Sequence, residues 1–185
     1  MPQLLKRFAR AQQGVAIVEF GLMLPVLMTL LYGAIEITRY ILIVQKTEKL
    51  AHAVADMGAQ SQTATRATLD QVMAAASDIM NPYSLNTNGT IYITSIYRAA
   101  GVASATVNWR YQGGGSLTAS SQLGTLGGTA SMPAGFTFEE RENVIAAEVY
   151  FRFSPLVSSQ FFGTTTVYRV AFYKPRFGAL LNAPT

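Results

Sequence analysis

The apolar and polar positions divide the chain into three stretches. From Gln12 to Val44 the sequence is almost continuously apolar, and Phe20 to Ile35 carries no charge. Val15 to Ile35 is twenty-one residues, which at about 1.5 Å per residue gives about 31 Å of helix, the thickness of one hydrocarbon core. A helix satisfies its own backbone groups, so this run predicts a transmembrane helix over 15–44. Glu36 and Arg39 fall at its far end, three residues apart on one face, where they can pair. Pro25 lies inside the span. It lacks a backbone donor and predicts a kink.

Past residue 44 the pattern turns amphipathic. Leu50, Val54 and Met57 form a helical stripe opposite Lys46, Glu48, Lys49 and Asp56, so the helix is expected to continue outside the membrane until Ser61–Thr65 break it. Thr68 reads as the N-cap of a second helix, with Gln71 at the capping-box position. Leu69, Val72, Met73, Ala76 and Met80 make its apolar face, and Asn81-Pro82 ends it.

From Leu85 the chain becomes β-rich. Residues 86–89 (NTNG) read as a turn. Strands are expected at Thr90–Arg98, Val102–Tyr111, Asn143–Phe153 and Thr164–Tyr173, the first two as an antiparallel hairpin. Gln112 to Gly135 is rich in Gly, Ser and Thr and reads as a long mobile loop. The expected class is α+β: a long N-terminal transmembrane helix continuing into a domain with a second helix and an antiparallel sheet of about four strands. The division is a basic leader (1–14), the span (15–44), an extracytoplasmic helical segment (45–84) and a β domain (85–185) with the loop 112–135 flexible.

Charge orients the span. The leader holds Lys6, Arg7 and Arg10 and no acid, so it is expected on the cytoplasmic side with everything after Val44 outside. Without the leader, eleven basic residues face ten acidic ones, so the net charge of +4 is mostly leader and no nucleic-acid partner is expected. A secretory signal peptide has a shorter apolar core closed by a small-residue site; the run here is longer and no Ala-x-Ala ends it, so the helix should stay on the product.

Glu19 stands out. A carboxylate near the membrane end of such a helix costs roughly 2.5–3.5 kcal/mol and is a functional candidate, although a shallow position among headgroups would also accommodate it. If the chain is cut after Gly14, Val15 becomes a charged amino terminus one helical turn from Glu19. Pairing with that amine, or with a neighbouring subunit's, offsets the burial cost of both charges.

Gly14-Val15-Ala16-Ile17-Val18-Glu19-Phe20, behind a short basic leader and ahead of a long apolar helix, resembles the cleavage pattern of type IV prepilins and pseudopilins of the Flp/Tad branch. The continuation Glu19-Phe20-Gly21-Leu22-Met23-Leu24-Pro25 is similar to the corresponding segment of the TadE-like family (TadE, TadF and the start of TadG). Looser landmarks of that family resemble Asp56 to Gln60, Asn81-Pro82-Tyr83, Trp109, Ala147-Glu148-Val149-Tyr150 and Lys174-Pro175-Arg176. The resemblance implies a pilin-like arrangement and processing between Gly14 and Val15 by a prepilin peptidase. It also implies a role in building a tight-adherence pilus in which Glu19 and Phe20 serve processing and assembly. The implied partners are inner-membrane lipid, the peptidase, and other pilins, pseudopilins and Tad assembly proteins met through the N-terminal helix. The implied location is the bacterial inner membrane, single-pass, with the C-terminal domain periplasmic or carried into the extracellular pilus. The main shaft pilin of this branch is much shorter, so the chain length points to a minor component.

Reactive chemistry is sparse. There is no Cys, so neither disulfide nor thiolate site is possible. His52 is a lone histidine expected to pack or face solvent. No nucleophile elbow or P-loop is present, and the Gly runs lack the Gly-Lys-Ser/Thr that cradles phosphate. Glu139-Glu140-Arg141-Glu142 reads as a solvated turn, with weak Ca²⁺ binding the less favoured alternative. Tyr92, Tyr97, Trp109, Tyr111, Tyr150 and Tyr168 fall on strands and are expected to fill one side of a sheet. No cofactor, metal site or catalysis is expected. The rivals are an uncleaved single-pass envelope protein presenting a binding or adhesin domain, and an anchored secreted enzyme, for which no converging set of acid, base or metal residues is found.

Overall fold

In the computed structural model, which describes residues 14–156 and 163–185, α1 spans Val15–Ala59 as one α-helix. The leader therefore lies outside the described residues, apart from Gly14. The chain divides into two units, one ending at Tyr40 and one running from Ile41 to Thr185.

In the first unit the helix is apolar on every side, with Ile17, Leu22 and Leu30 each about two-thirds exposed or more. A helix apolar all round is suited to lipid. It continues through Pro25, and the Thr29 hydroxyl donates to the Pro25 carbonyl at 2.8 Å. The Arg39 guanidinium donates to Glu36 at 3.1 Å, as the spacing predicts.

In the second unit the same helix becomes one-sided. Ile43, Thr47, Leu50, Ala51, Val54, Ala55, Gly58 and Ala59 are buried at helical spacing. The small residues among them admit the sheet closely: a β-carbon at Gly58 would sit 3.3 Å from Ile145. Helix α2 (Arg66–Met80) buries the predicted Leu69, Val72, Met73, Ala76 and Met80. Its cap is Thr65, not Thr68. The Thr65 hydroxyl accepts the Thr68 backbone N–H at 3.2 Å, so Thr68 occupies the first turn and the helix begins three residues earlier than expected. At the other end the Lys46 ammonium donates to the carbonyls of Ile79 and Asn81 at 3.1 and 2.8 Å, satisfying carbonyls the last turn leaves open. The expected turn at 86–89 is a single helical turn, α3 (Leu85–Asn88).

The strands are β1 (Gly89–Tyr97), β2 (Thr106–Gly113), β3 (Asn143–Phe153) and β4 (Thr165–Tyr173), all antiparallel, in the order β2-β1-β3-β4. β3 matches its expected bounds. β2 starts later and ends later than expected, because Gln112 and Gly113 pair with Tyr92 and Ile91. The inner face (Ile91, Ile93, Trp109, Ile145, Ala147, Val149, Phe151, Val167 and Ala171) packs with α1 and α2 in the main core.

The stretch expected as a mobile loop is irregular in backbone yet packed. It crosses the outer face, where Leu123 is buried with Ile96 and Ala146, and Leu117 with Tyr92 and Tyr150. Both faces of the sheet are therefore covered, which is why β1 and β3 are buried almost throughout.

Candidate functional site

Two places carry the residues singled out from the sequence. The first is the start of α1. The α-helix begins at Val15, immediately after Gly14. Glu19 is four residues on, so its carboxylate lies one turn from the Val15 amide. Glu19 and Phe20 are both exposed, and Glu19 has no ion pair among the described residues. This end of the helix offers a carboxylate on a proline-bearing apolar rod. It is suited to packing in lipid or against other helices.

The second place is the covered outer face, which the sequence marked only as a family landmark at Glu148. Glu148 is fully buried in the middle of β3. Its carboxylate accepts the Ser121 hydroxyl and the Gln122 backbone N–H, the latter at 2.8 Å. The hydroxyls of Tyr150 and Tyr168 lie 3.3 and 3.2 Å from Oε1. No cation pairs with it among the described residues; hydrogen-bond donors satisfy its oxygens. Burial, then the neighbouring carboxylate, pushes the Tyr150 and Tyr168 phenols well above the ordinary tyrosine range. Tyr150 also donates to the Ser120 carbonyl at 2.8 Å, and Tyr92 to the Ala119 carbonyl at 2.5 Å. Arg110 braces the same cover, donating to the Gly124 carbonyl at 2.9 Å and to Thr94 at 3.1 Å. Tyr168 braces Glu148 from β4, and the other groups fasten residues 119–124 to the sheet. The arrangement is a latch.

The other sequence candidates disperse. His52 is exposed, with its ring edge-on to Tyr173 at 6.1 Å. Glu142 pairs with Lys174 at 2.6 Å. Burial raises the Glu142 pKa, but the Lys174 ammonium and the Glu139 N–H outweigh it and hold the carboxyl below its usual range. Glu139 and Glu140 face solvent, and no cluster of three metal-ligating side chains occurs among the described residues. The aromatics divide between both faces: Trp109 and Tyr111 lie with the inner core, and Tyr92, Tyr150 and Tyr168 lie under the cover. Trp109 donates to the Leu180 carbonyl at 2.8 Å, as does Ser95. Asn143 accepts the Leu180 N–H at 2.8 Å, so the C-terminal segment is bound over that end of the core. The landmark around Arg176 is likewise a fastening: Arg176 pairs with Asp56 at 2.7 Å, and its N–H donates to the Ala59 carbonyl at the end of α1.

One helix among the described residues is long and apolar enough to cross a membrane, and it leads into an α+β domain. These features define a membrane-anchored protein. The family model described as TadE-like protein matches residues 14–56, the whole of the anchor and most of the helix that packs on the domain. No curated protein and no solved structure matches the chain. The match confirms the resemblance over the N-terminal stretch and supports a Tad pilus-associated protein. The later landmarks lie outside it.

Proposed function

We propose that the protein is a minor pseudopilin or assembly component of a Tad (tight adherence) type IV pilus, cut between Gly14 and Val15 by a prepilin peptidase and retained by its helix. The observation that carries this reading is the start of α1: the helix opens at Val15, directly after the glycine of the motif, and places Glu19 one turn inside. After cleavage the new amine of Val15 and the Glu19 carboxylate neutralise each other, within one chain or between neighbours, which fixes the axial register of adjacent helices. Phe20 and the apolar rod meet inner-membrane lipid or other pilins. The leader stays cytoplasmic and the domain periplasmic, presented to other Tad components. The chain is the peptidase's substrate and carries out no reaction of its own.

The test is intact mass with N-terminal sequencing of protein from its native membrane, with and without the peptidase. A mature chain starting at Val15, lost without the peptidase or in Gly14→Ala, is the expected result. A chain starting at Met1 in both conditions overturns the reading and leaves a permanent single-pass anchor.

A further inference from the structure

Within the second unit, three contacts order α1 against β4 and the tail that follows it. Glu48 meets Arg169 at 3.9 Å, His52 meets Tyr173, and Asp56 meets Arg176. The helix therefore runs in the same direction as β4, and the start of β4 points toward the Ile41 end of the unit. From His52 back to Ile41 is eleven residues, about 17 Å of helix. From Tyr173 back to Thr165 is eight residues, about 26 Å of strand. The strand route is the longer, so oblique crossing is absorbed and the end of the sheet where β3 leaves and β4 enters reaches at least the level of Ile41. By chain connectivity, Ile41 follows directly on the apolar segment, whatever angle that segment takes.

The described residues at this end of the sheet include Arg152, Ser154, Leu156, Thr165 and Thr166. Leu156 is 69% exposed. Arg152 is exposed on β3, opposite Thr166, and pairs with no acid among the described residues. From Val149 to Thr185 the sequence holds Arg152, Arg169, Lys174 and Arg176 and no acid at all. The exposed acids Glu139 and Glu140 instead precede Asn143, at the opposite end of the sheet. On the helical side of this end, Lys46 and Asp78 offset each other in charge, with Lys46 already engaged on carbonyls.

We propose that this end of the domain is a second membrane contact: Leu156 enters the interfacial region and Arg152 meets the phosphate of an anionic phospholipid. An exposed apolar side chain and an exposed cation at one end of a domain are the combination that binds peripheral segments to anionic bilayers, with both terms contributing. The contact holds the domain down on the bilayer. The inference rests on the membrane-anchored reading and is independent of which side the domain occupies.

The absence of Cys makes the test direct. The full chain is reconstituted into vesicles of phosphatidylcholine and phosphatidylglycerol at about three to one, carrying interfacial lipid quenchers for the labels on the domain and, in a parallel set, acyl-chain quenchers for the label in the span. One fluorophore is placed by Leu156→Cys, by Leu126→Cys (64% exposed, near the start of β2) or by Leu27→Cys in the span. Emission of the lone Trp109 verifies folding in each. The label at 156 is expected to lose most of its emission, to lose less in pure phosphatidylcholine or with Arg152→Glu, and the label at 126 to stay bright. A bright label at 156 beside a quenched one at 27 overturns the second contact while leaving the anchor intact. Equal quenching at 156 and 126, or indifference to Arg152→Glu, also overturns it. A bright label at 27 defeats the anchor and the contact together.

Discussion

The Glu148 carboxylate receives the backbone N–H of Gln122 at 2.8 Å, across 26 residues of sequence, and so ties an irregular segment to the centre of the sheet. Replacing Glu148 by Ala strands that N–H and the Ser121 hydroxyl under the cover. We expect a loss of about 2–4 kcal/mol by denaturant unfolding, with faster amide exchange at residues 119–124 before exchange elsewhere. Glu148→Gln keeps an acceptor for Gln122 and should lose less. Equal losses for the two variants would mean that an amide of the same shape cannot stand in for the carboxylate, so that both of its acceptor oxygens are needed to hold the cover.

The phenols beside Glu148 set an alkaline limit. Their folded pKa values are raised, so the stability they contribute is complete below pH about 10, the unfolded value, and drains as pH climbs from there toward the folded values. Denaturant midpoints should fall above pH 10, and Tyr168→Phe should flatten that fall. An unchanged slope in Tyr168→Phe would place the alkaline sensitivity elsewhere.

Glu142 sets the acid side with the opposite sign. Its folded pKa is lowered, so its contribution is present above the ordinary glutamate range and is lost as pH falls through the folded value. Glu142→Gln should lower stability at neutral pH and reduce the loss between neutral and acid conditions. Lys174 is largely exposed, so the effect is small and is best measured as a difference between pH values.

Gly115 runs where no side chain fits. A β-carbon there would lie 2.3 Å from the Gly89 carbonyl oxygen and 2.4 Å from that of Leu85, and neither backbone can yield easily. Its neighbour Gly114 adopts φ of 79°, the left-handed region that glycine enters freely. Gly115→Ala should cost about 1–3 kcal/mol. In contrast, Gly127→Ala meets open space and only its own φ of 74° opposes it, so it should cost less.

Leu180 is 5% exposed and its backbone is held by Trp109, Ser95 and Asn143. Leu180→Ala should destabilise the domain by about 2–4 kcal/mol and shift the emission of Trp109, the sole tryptophan, toward longer wavelength. An unshifted spectrum would show that the indole is sheltered without this segment.

Much of this architecture was legible because periodicity reports burial directly. The stripe from Leu50 to Val54, the face of α2 and the bounds of β3 all follow from where apolar residues recur. The cover was not legible. Leu117, Leu123, Met132, Phe136 and Phe138 are scattered singly among Gly, Ser and Thr with no period, because an irregular segment crossing a sheet has no repeating geometry to record. Glu148 was hidden for a related reason. An acid at alternate spacing in a strand looks like a solvent-facing residue, and only the partners supplied by a distant loop reveal that it is interior. The N-cap was misplaced because Thr65 and Thr68 both satisfy the local rule, and their hydroxyls lie 2.8 Å apart.

The strand order has a consequence for how the domain comes into being. β1 and β3 are neighbours in the sheet, Tyr97 opposite Asn143, so the segment between them must close as a loop before the central pair can form. Such non-local pairing is slow. A chain delivered from its amino terminus completes the β1–β2 hairpin first, with residues 119–124 already waiting. Only when Glu148 arrives does the waiting segment acquire its anchor. A late-arriving keystone leaves the outer face of that hairpin uncovered during delivery, an interval in which a chaperone or an assembling partner could reach a surface that the finished domain conceals.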